Sequence, residues 1–417
     1  MRRVHVVGAG LAGLSAAVRL AEAGVGVTLY DAAPQAGGRC RSWHDAQLGL
    51  TIDNGNHLVL SGNRAVADYV RLIDAEDRLI GPERADFDWM DLRDGARWTL
   101  KPNDGPIPWW VLGAERRVPG TGPGAYLALA ALLRAGPRAT VGETIRCEGP
   151  LWDRLIEPFL VSSLNTPARD GSARLAGAII RGSLARGGRA ARPRVAHPTL
   201  AAAFVDPALA YLRAHRAEVR LGRRLRSIGY EGDRLATVDF GDGPQPLAPS
   251  EALVLALPAW AAQELIPGLS APTEHNAIVN AHFAVVPPPG ASLLTGLVGG
   301  AAEWVFALGD RVSTTTSAAD RLFGLNRDTL ARRLWAEAAR ALRIEDTPLP
   351  PHRIVAEKRA TFAATPAQDA LRPPAHTAYA NLFLAGDWTQ TGLPATIEGA
   401  LQSGVAAARL AIAALQP

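Results

Sequence analysis

Lysine and cysteine are both scarce in this chain of 417 residues. The only lysines are Lys101 and Lys358, although lysine and arginine together number 44 against 40 acidic residues. Arginine therefore carries nearly all of the positive charge behind the formal net charge of +4. Because no basic block and no nucleic-acid-binding motif accompanies this modest excess, we expect no nucleic-acid partner. A basic face could still favour an anionic membrane surface.

The two cysteines, Cys40 and Cys147, are too few for a disulfide framework or a metal cluster, so we expect reduced thiols and no bound metal. A long unbroken apolar run is also missing, because the uncharged stretch 277–302 is interrupted by Pro287–Gly290 and cannot form one continuous spanning helix. The predicted first strand begins at once, which leaves no room for a signal peptide. These observations predict a cytoplasmic protein, or one attached from one side to the inner face of the cytoplasmic membrane.

The most informative pattern lies in the first residues of the chain. A short apolar strand over 4–7 is followed by Gly8, Gly10 and Gly13 in G-x-G-x-x-G spacing, and then by a helical stretch from about 12 to 23. The first glycine permits a tight turn, the second lets the backbone approach a pyrophosphate, and the third lets the helix pack on the strand. The free N–H groups at the helix start would bind the phosphates. This order of elements predicts a dinucleotide site.

Two further features continue the pattern. Asp31 ends the second predicted strand about 20 residues after Gly8, where a carboxylate binds an adenosine ribose. The turn that follows contains Gly38 and Arg39, which suit close backbone approach and bidentate contact with a phosphate. The polar loop Asp53–His57, with a glycine at its centre, is interpreted as a ligand contact.

The last part of the chain returns to the same cofactor. A hydrophobic strand beginning at Leu382 ends in Gly386 and Asp387, and a helix is predicted from Thr396 to about Ala414. An acid in this place can bind the ribityl hydroxyls of a flavin, and helix N–H groups can stabilise negative charge on the reduced ring. Gly404 keeps one face of the helix slim and permits close packing.

Between the two ends, the length of the chain predicts a second domain, since one ordinary core serves fewer residues. The segment Pro106–Gly113 contains Trp109 and Trp110 and either anchors the protein at a membrane interface or forms part of the core or a lid. The Gly- and Arg-rich stretch 181–194 is interpreted as a mobile loop or a solvated basic face. Helices are expected near 62–80, 126–134, 152–164, 198–214 and 327–342, a β-rich region over 218–240, a buried strand over 252–257 and further strands over 277–308.

Several of these motifs together resemble a known family. The glycine turn at 8–13, the Gly-Gly-Arg at 37–39 and the Gly-Asp at 386–387 resemble the flavin-containing amine oxidase and carotenoid desaturase superfamily, and the stretch 393–404 is similar to its desaturase side. The segments 53–57, 278–283, 357–366 and 384–388 are similar to the squalene-associated FAD-dependent desaturases, the hydroxysqualene dehydroxylases of bacterial hopanoid synthesis. The resemblance runs from residue 4 to about 410. One departure is Asn56, where we expect glutamine; the side-chain amide is kept.

The resemblance implies an α/β fold with an FAD-binding Rossmann-like domain of the glutathione-reductase type. This domain would be built from both chain ends and interleaved with an α+β substrate domain. FAD-binding parts are expected at 1–80, 196–270 and 366–417, and substrate parts at 81–195 and 271–365. The residues implied to hold FAD are Gly8, Gly10, Leu11, Ala12, Gly13, Asp31, Gly38, Arg39, Gly386, Asp387, Thr396 and Ile397, with the backbone of Leu225 at the adenine and Asn56 and His57 near the isoalloxazine or its ribityl chain.

The implied reaction is the reductive removal of the hydroxyl group of hydroxysqualene, which gives squalene and water. This chemistry needs a donor at the leaving oxygen and an apolar tunnel for two long isoprenoid arms. His57 is the first candidate for that donor, with Lys358 and Arg359 as further candidates. No second G-x-G-x-x-G occurs, so electrons would come from NAD(P)H visiting the flavin face or from another carrier.

Three rival functions stay open on the sequence alone. A carotenoid or phytoene-type desaturase has the same fold and runs the chemistry in the oxidising direction. A flavin amine oxidase fits less well, because the residues around Asp387 lack a Glu-His pair and the expected pocket segments carry few acids for a cationic amine. The protein could also be a non-enzymatic FAD-dependent scaffold or an isoprenoid carrier at the membrane.

Overall fold

The computed structural model describes residues 2–416, which form twenty strands and twelve α-helices. The strands are β1 Arg3–Val7, β2 Gly26–Tyr30, β3 Ser42–Asp45, β4 Leu50–Asp53, β5 Leu58–Leu60, β6 Leu79–Ile80, β7 Phe87–Asp91, β8 Arg97–Leu100, β9 Pro193–Ala196, β10 Glu218–Arg220, β11 Ser227–Glu231, β12 Arg234–Asp239, β13 Gln245–Pro246, β14 Glu251–Leu255, β15 His275–Phe283, β16 Leu294–Val298, β17 Trp304–Ala307, β18 Val312–Thr316, β19 His352–Phe362 and β20 Leu382–Leu384. The helices are α1 Leu11–Glu22, α2 Arg64–Leu72, α3 Leu127–Leu132, α4 Val141–Thr144, α5 Glu157–Leu164, α6 Ala173–Gly182, α7 Gly188–Ala191, α8 Asp206–Ala214, α9 Ala259–Leu265, α10 Arg327–Leu342, α11 Pro366–Ala370 and α12 Ile397–Ala414.

A five-stranded parallel sheet in the order β10-β2-β1-β14-β20 contains strands from both ends of the chain. Its central strand is buried on both faces, and Val6 lies between Leu29 on β2 and Val254 on β14. Such burial explains why the neighbouring strands β14 and β20 are nearly continuous apolar runs. The predicted fold, a Rossmann-like domain assembled from the first and last strands, is confirmed.

Helices α1 and α12, the first and last of the chain, pack directly on one another. A Cβ atom at Gly404 would lie 2.3 Å from the carbonyl oxygen of Ala12, so only glycine permits this approach. The Ser15 hydroxyl donates a hydrogen bond of 2.9 Å to the Leu401 carbonyl across the same contact. The predicted close packing at Gly404 is therefore confirmed, and it holds the two helix N-termini on one side of the sheet.

A second, mixed sheet has seven strands in the order β19-β15-β18-β17-β16-β7-β8. Helix α10 covers one face through Leu330, Leu334 and Ala338, which recur at helical spacing and are buried. Asn280 and Thr315 are direct neighbours on β15 and β18, so their side chains share the opposite face. That face carries the polar and aromatic residues of the candidate site.

Several local predictions were wrong in detail. The segment 218–221 was expected within the β-rich region, but β10 pairs in parallel with β2 at the edge of the five-stranded sheet. The stretch 181–194 contains α7 and the start of β9, which pairs with β5 and β6, while Arg181, Arg186 and Arg189 are exposed as expected of a solvated basic face. The helix expected over 62–80 ends at Leu72, and two π-helical turns, Trp152–Ile156 and Ala201–Val205, precede α5 and α8. These outcomes depend on strand partners and packing that a local pattern does not contain.

Within residues 2–416, no helix combines the length and the apolar character that crossing a bilayer requires.

Candidate active site

In the glycine turn after β1, two of the three glycines have no room for a Cβ atom, whereas the third has. Gly8 has φ +108, and a Cβ atom there would lie 2.3 Å from the Ala256 carbonyl oxygen; a Cβ at Gly13 would lie 1.7 Å from the Gly8 oxygen. A Cβ at Gly10, by contrast, would meet nothing within 4 Å. The open space beside Gly10, at the N-terminus of α1, fits a pyrophosphate group in close contact with the backbone.

Asp31 ends β2 beside this turn. Its carboxylate accepts hydrogen bonds from the backbone N–H groups of Ala9 at 2.6 Å and Ala33 at 2.8 Å. The N–H of Arg223 donates to the Asp31 carbonyl at 2.7 Å, which holds the segment leading to buried Leu225 next to the acid. The structure therefore brings Asp31 and Leu225 to one region, as binding of an adenosine ribose and its adenine would require.

Arg39 and Asp387 join the two ends of the chain. A guanidinium nitrogen of Arg39 lies 2.7 Å from a carboxylate oxygen of Asp387, and a second nitrogen donates to the Ala360 carbonyl. Asp387 follows Gly386, whose φ of +149 is one that side chains rarely adopt. The Arg39 side chain is 42% exposed and Asp387 is 8% exposed, so the pair has one open side beside the cofactor turn.

The N-terminus of α12 supplies free donors next to that pair. The Thr396 hydroxyl oxygen accepts a hydrogen bond from the Gly399 N–H at 3.1 Å, while the preceding N–H groups, including that of Ile397, have no acceptor within the helix. Glu398 points away from them, because its carboxylate accepts hydrogen bonds of 3.0 Å from Ala65 and Val66 at the start of α2. The helix start is therefore available to a negatively charged ring edge.

Asp53 has a structural role in the loop 53–57. Its carboxylate accepts hydrogen bonds from the Ser42 hydroxyl and the Leu200 N–H, and it pairs with buried Arg311 at 3.3 Å. Its carbonyl accepts from Nε2 of His282, whose Nδ1 accepts from the Ser313 hydroxyl. Burial, together with Arg311, lowers the pKa of His282 to about 4, so this ring is neutral at neutral pH.

Asn56 contacts a residue that the sequence did not single out as part of the site, Asn280. The Asn280 side-chain oxygen accepts hydrogen bonds from the Asn56 N–H at 3.2 Å, the Asn56 amide at 3.4 Å and the Thr315 hydroxyl at 2.8 Å. Within residues 2–416 its NH₂ group donates no hydrogen bond, although Asn280 is only 2% exposed. The available signal was a buried polar residue on the strand face that also carries His282, and its free NH₂ group leaves a donor for a ligand.

The three candidate catalytic residues lie in different environments. His57 is half-buried, and burial together with Arg39 lowers its pKa to about 4. Arg359 is exposed, and its guanidinium lies 4.8 Å from the centre of the Trp260 ring. It directly precedes Ala360, whose carbonyl accepts a hydrogen bond from Arg39. Lys358 lies over the Phe323 ring at 5.7 Å. Both residues are exposed, and both lie where the pairing of β19 with β15 shifts register, so simple strand alternation does not apply to them.

Tryptophans line the same face of the seven-stranded sheet. Trp89 lies 4.9 Å from Trp304 and 6.3 Å from Trp98, measured between ring centroids. A Cβ atom at Gly296 would lie 2.4 Å from the Trp89 ring, so glycine lets that ring fold over β16 toward Trp304. One buried apolar cluster continues from these rings to the other end of the site; it includes Trp110, Tyr126, Trp152, Leu384 and Trp388.

Comparisons with known proteins agree with this arrangement. A family model described as flavin containing amine oxidoreductase matches residues 11–287 and 287–412. Hydroxysqualene dehydroxylase from Rhodopseudomonas palustris is 52% identical over 414 residues, covering 99% of both chains. The protein of the same name from Sinorhizobium fredii is 49% identical over 411 residues, covering 99% of this chain and 98% of the relative.

Solved structures support the fold at low sequence identity. Cyclohexylamine oxidase from Brevibacterium oxydans has a TM-score of 0.71 at 14% identity, and a double mutant of putrescine oxidase has a TM-score of 0.71 at 16% identity. Each comparison covers 99% of both chains. The family match and the fit of the glycine turn, Arg39 and Asp387 identify FAD as the cofactor. The chain belongs to the flavin-containing amine oxidoreductase family and, within it, to the hydroxysqualene dehydroxylases.

Proposed function

We propose that this protein reductively removes the hydroxyl group of hydroxysqualene and releases squalene and water. The observation that carries the proposal is the buried apolar cluster that contains both Trp110 and Trp388, because Trp388 is the residue next to Asp387. A hydrocarbon substrate needs an apolar environment of this kind beside the cofactor residues. The names of the full-length relatives point to the same substrate.

The reaction breaks one C–O bond and forms one C–H bond at the same carbon, while the leaving oxygen takes up a proton. When bound and reduced, FAD supplies the two electrons and the hydrogen that this exchange consumes. The chain has to hold the allylic carbon in place, keep water away and support the departing oxygen. Trp89 and Trp304 exclude water on the sheet side, and their ring faces favour developing positive charge on the substrate.

We assign support of the departing oxygen to His57. With its pKa lowered to about 4, the imidazole is neutral at neutral pH and donates a hydrogen bond from its N–H group. Arg359 is the second candidate, because it adjoins the Ala360 carbonyl bound by Arg39 and carries several N–H donors on its guanidinium. Lys358, over the Phe323 ring, remains the third.

The sources of electrons and substrate also belong to this proposal. NAD(P)H, or another reduced carrier, would reduce the cofactor by visiting it from solvent. The protein would work in the cytoplasm as a peripheral protein on the inner face of the membrane, where long isoprenoids dissolve. The exposed aromatic segment around Trp109 supports such a contact.

An anaerobic single-turnover experiment tests the activity. The holoenzyme is reduced and mixed with hydroxysqualene, and flavin absorbance and squalene are followed together, the latter by mass spectrometry. We expect one squalene per flavin reoxidised. If hydroxysqualene leaves the reduced flavin unchanged while a polyene precursor reacts with the oxidised enzyme, a desaturase activity replaces this one.

Variants then separate the donor candidates. His57→Gln keeps a side-chain donor, whereas His57→Ala removes it and should slow flavin reoxidation about 100-fold, the effect of losing one transition-state donor. Arg359→Gln is compared with Lys358→Gln as a matched pair on adjacent positions of the strand. Equal effects of the last two variants would argue against a specific role for Arg359.

A further inference from the structure

Four large apolar side chains lie exposed along one segment of the chain. The exposed fractions are 56% for Ile107, 61% for Trp109, 62% for Leu112 and 74% for Leu127. Exposed apolar residues are common singly, but a group of them on one segment marks an interaction surface.

This exposure is built into the local structure. The Asn103 side chain donates hydrogen bonds to the carbonyls of Gly105 and Ile107 and accepts one from the Trp110 N–H. Trp110 therefore points inward, where it packs edge-on against Tyr126 at 5.1 Å. The neighbouring Trp109 is left pointing outward.

A basic loop packs beside the same segment. The N–H of Gly188 donates to the Asn103 carbonyl at 2.7 Å, and a Cβ atom at Gly187, which has φ +85, would lie 2.2 Å from the Gly105 carbonyl. This close contact places Arg186 and Arg189 next to Pro106, at the edge of the apolar segment. Both arginines are exposed, and neither forms an ion pair with an acid of the described residues 2–416.

A cleft of about 450 Å³ lies between the two features. Arg186, Arg189, Ser61, Asp104 and Pro106 are among the residues that line it. The one acid, Asp104, faces the guanidinium of Arg192 at 3.8 Å. Two guanidinium groups without an acid partner among residues 2–416 therefore border the cleft, and that of Arg186 also donates to the Gly62 carbonyl at 3.2 Å. Pro106, on the opposite side, leads directly into the exposed apolar segment.

We propose that Ile107, Trp109, Leu112, Arg186 and Arg189 form a docking face for an anionic phospholipid bilayer. The apolar side chains enter the interface, and the cleft takes a lipid phosphate between the two arginines. A phospholipid bilayer places hydrocarbon beside a layer of phosphate groups, which matches an exposed apolar segment next to guanidinium groups. This inference rests on the membrane contact in the proposed function and specifies where and by which lipid chemistry it occurs.

The docking face is continuous with the interior. Trp110 and Tyr126, directly behind the exposed segment, belong to the same buried cluster as Trp89 and Trp304. The apolar packing behind the docking face therefore belongs to the same core as the tryptophans of the candidate site.

Vesicle co-sedimentation of the holoenzyme tests the proposal. Binding to phosphatidylcholine vesicles is compared with binding to vesicles that also contain phosphatidylglycerol, and we expect tighter binding to the latter that weakens with added salt. The double variant Arg186→Gln/Arg189→Gln should lower affinity for the anionic vesicles about 30-fold, from roughly fivefold per arginine. The matched control Arg327→Gln/Arg332→Gln replaces two exposed arginines on α10 and should change little.

A second pair of variants tests the apolar part. Ile107→Ser/Trp109→Ser should lower affinity for anionic vesicles by at least about tenfold, whereas Val286→Ser, at a residue 71% exposed elsewhere, should not. Bound flavin and the thermal midpoint verify that each variant is folded. Equal binding to both vesicle types, or control variants as weak as the face variants, would overturn the proposal.

Two further measurements are needed. The first asks whether the cleft binds a lipid or a soluble anion, and the second separates the test of membrane docking from the test of the proposed activity. If inorganic phosphate binds the wild type and not the arginine double variant, while vesicles of either type do not bind, the cleft is a soluble-anion site and the proposal fails. Turnover of detergent-solubilised hydroxysqualene is measured on the same samples. Vesicle binding without turnover would refute the proposed function and leave the docking face standing, and turnover without vesicle binding would do the reverse.

Discussion

Replacing Gly10 by alanine should weaken FAD binding without destabilising the protein that lacks FAD. The backbone of Gly10 is in an ordinary extended conformation, with φ −73, and the added Cβ would meet no atom of the chain within 4 Å. The methyl group would instead occupy the space that fits the pyrophosphate. Inserting one methyl group into a packed contact costs about 1–3 kcal/mol, which corresponds to an FAD affinity lowered about 5- to 150-fold.

The matched variant is Gly13→Ala in the same turn. Its Cβ would lie 1.7 Å from the Gly8 carbonyl oxygen, so the helix and strand must move apart even when no FAD is present. Titration of the apoprotein with FAD, followed by flavin fluorescence, measures affinity, and urea unfolding of the apoprotein measures stability. An unchanged FAD affinity in Gly10→Ala, or a loss of apoprotein stability as large as in Gly13→Ala, would refute the reasoning.

Three further outcomes are expected. Asp387→Asn removes the charged partner of Arg39 and should weaken FAD binding about fivefold by equilibrium dialysis, a small effect because Arg39 is partly exposed; unchanged retention would contradict it. Because the pKa of His282 is lowered to about 4 in the folded protein, the unfolded chain takes up a proton first as the pH falls, and the free energy of unfolding should decrease by about 2 kcal/mol between pH 7.5 and pH 5. In urea unfolding, His282→Gln should show a smaller decrease over the same pH range. A decrease as large as that of the wild type would contradict this role of His282. Glu398→Ala removes the acceptor at the start of α2 and should cost about 1 kcal/mol in urea unfolding, while Glu398→Gln should cost less; equal losses would show that the carboxylate does not cap α2.

Local patterns in the sequence were sufficient for the elements around the cofactor. The spacing of Gly8, Gly10 and Gly13 between an apolar strand and a helix has one common structural solution, because each glycine answers a steric demand of the turn. Helix α10 was predicted with the bounds observed, since its apolar residues recur at helical spacing. The glycine turn at 8–13 and the Gly-Asp at 386–387 were sufficient to predict that both chain ends converge on one cofactor.

The polar contacts of the site were decided only by the tertiary structure. Asn56 lies more than 200 residues from Asn280 in the sequence, and the hydrogen bonds between them depend on β15 and β18 being neighbours. The pattern of β19 likewise could not place Lys358 and Arg359, because a register shift against β15 interrupts the alternation there and leaves both side chains exposed.

By itself, the sequence determined the glycine turn, the parallel strands, the final helix and the family to which they belong. These features are encoded within short stretches, where backbone sterics and side-chain periodicity act between near neighbours. The tertiary structure alone decided the partner of β10, the pairing of Arg39 with Asp387 at 2.7 Å, and the meeting of Arg186 with the exposed segment around Trp109. Each of these joins distant parts of the chain, and the packing of whole elements, rather than any local preference, sets which distant groups come within reach.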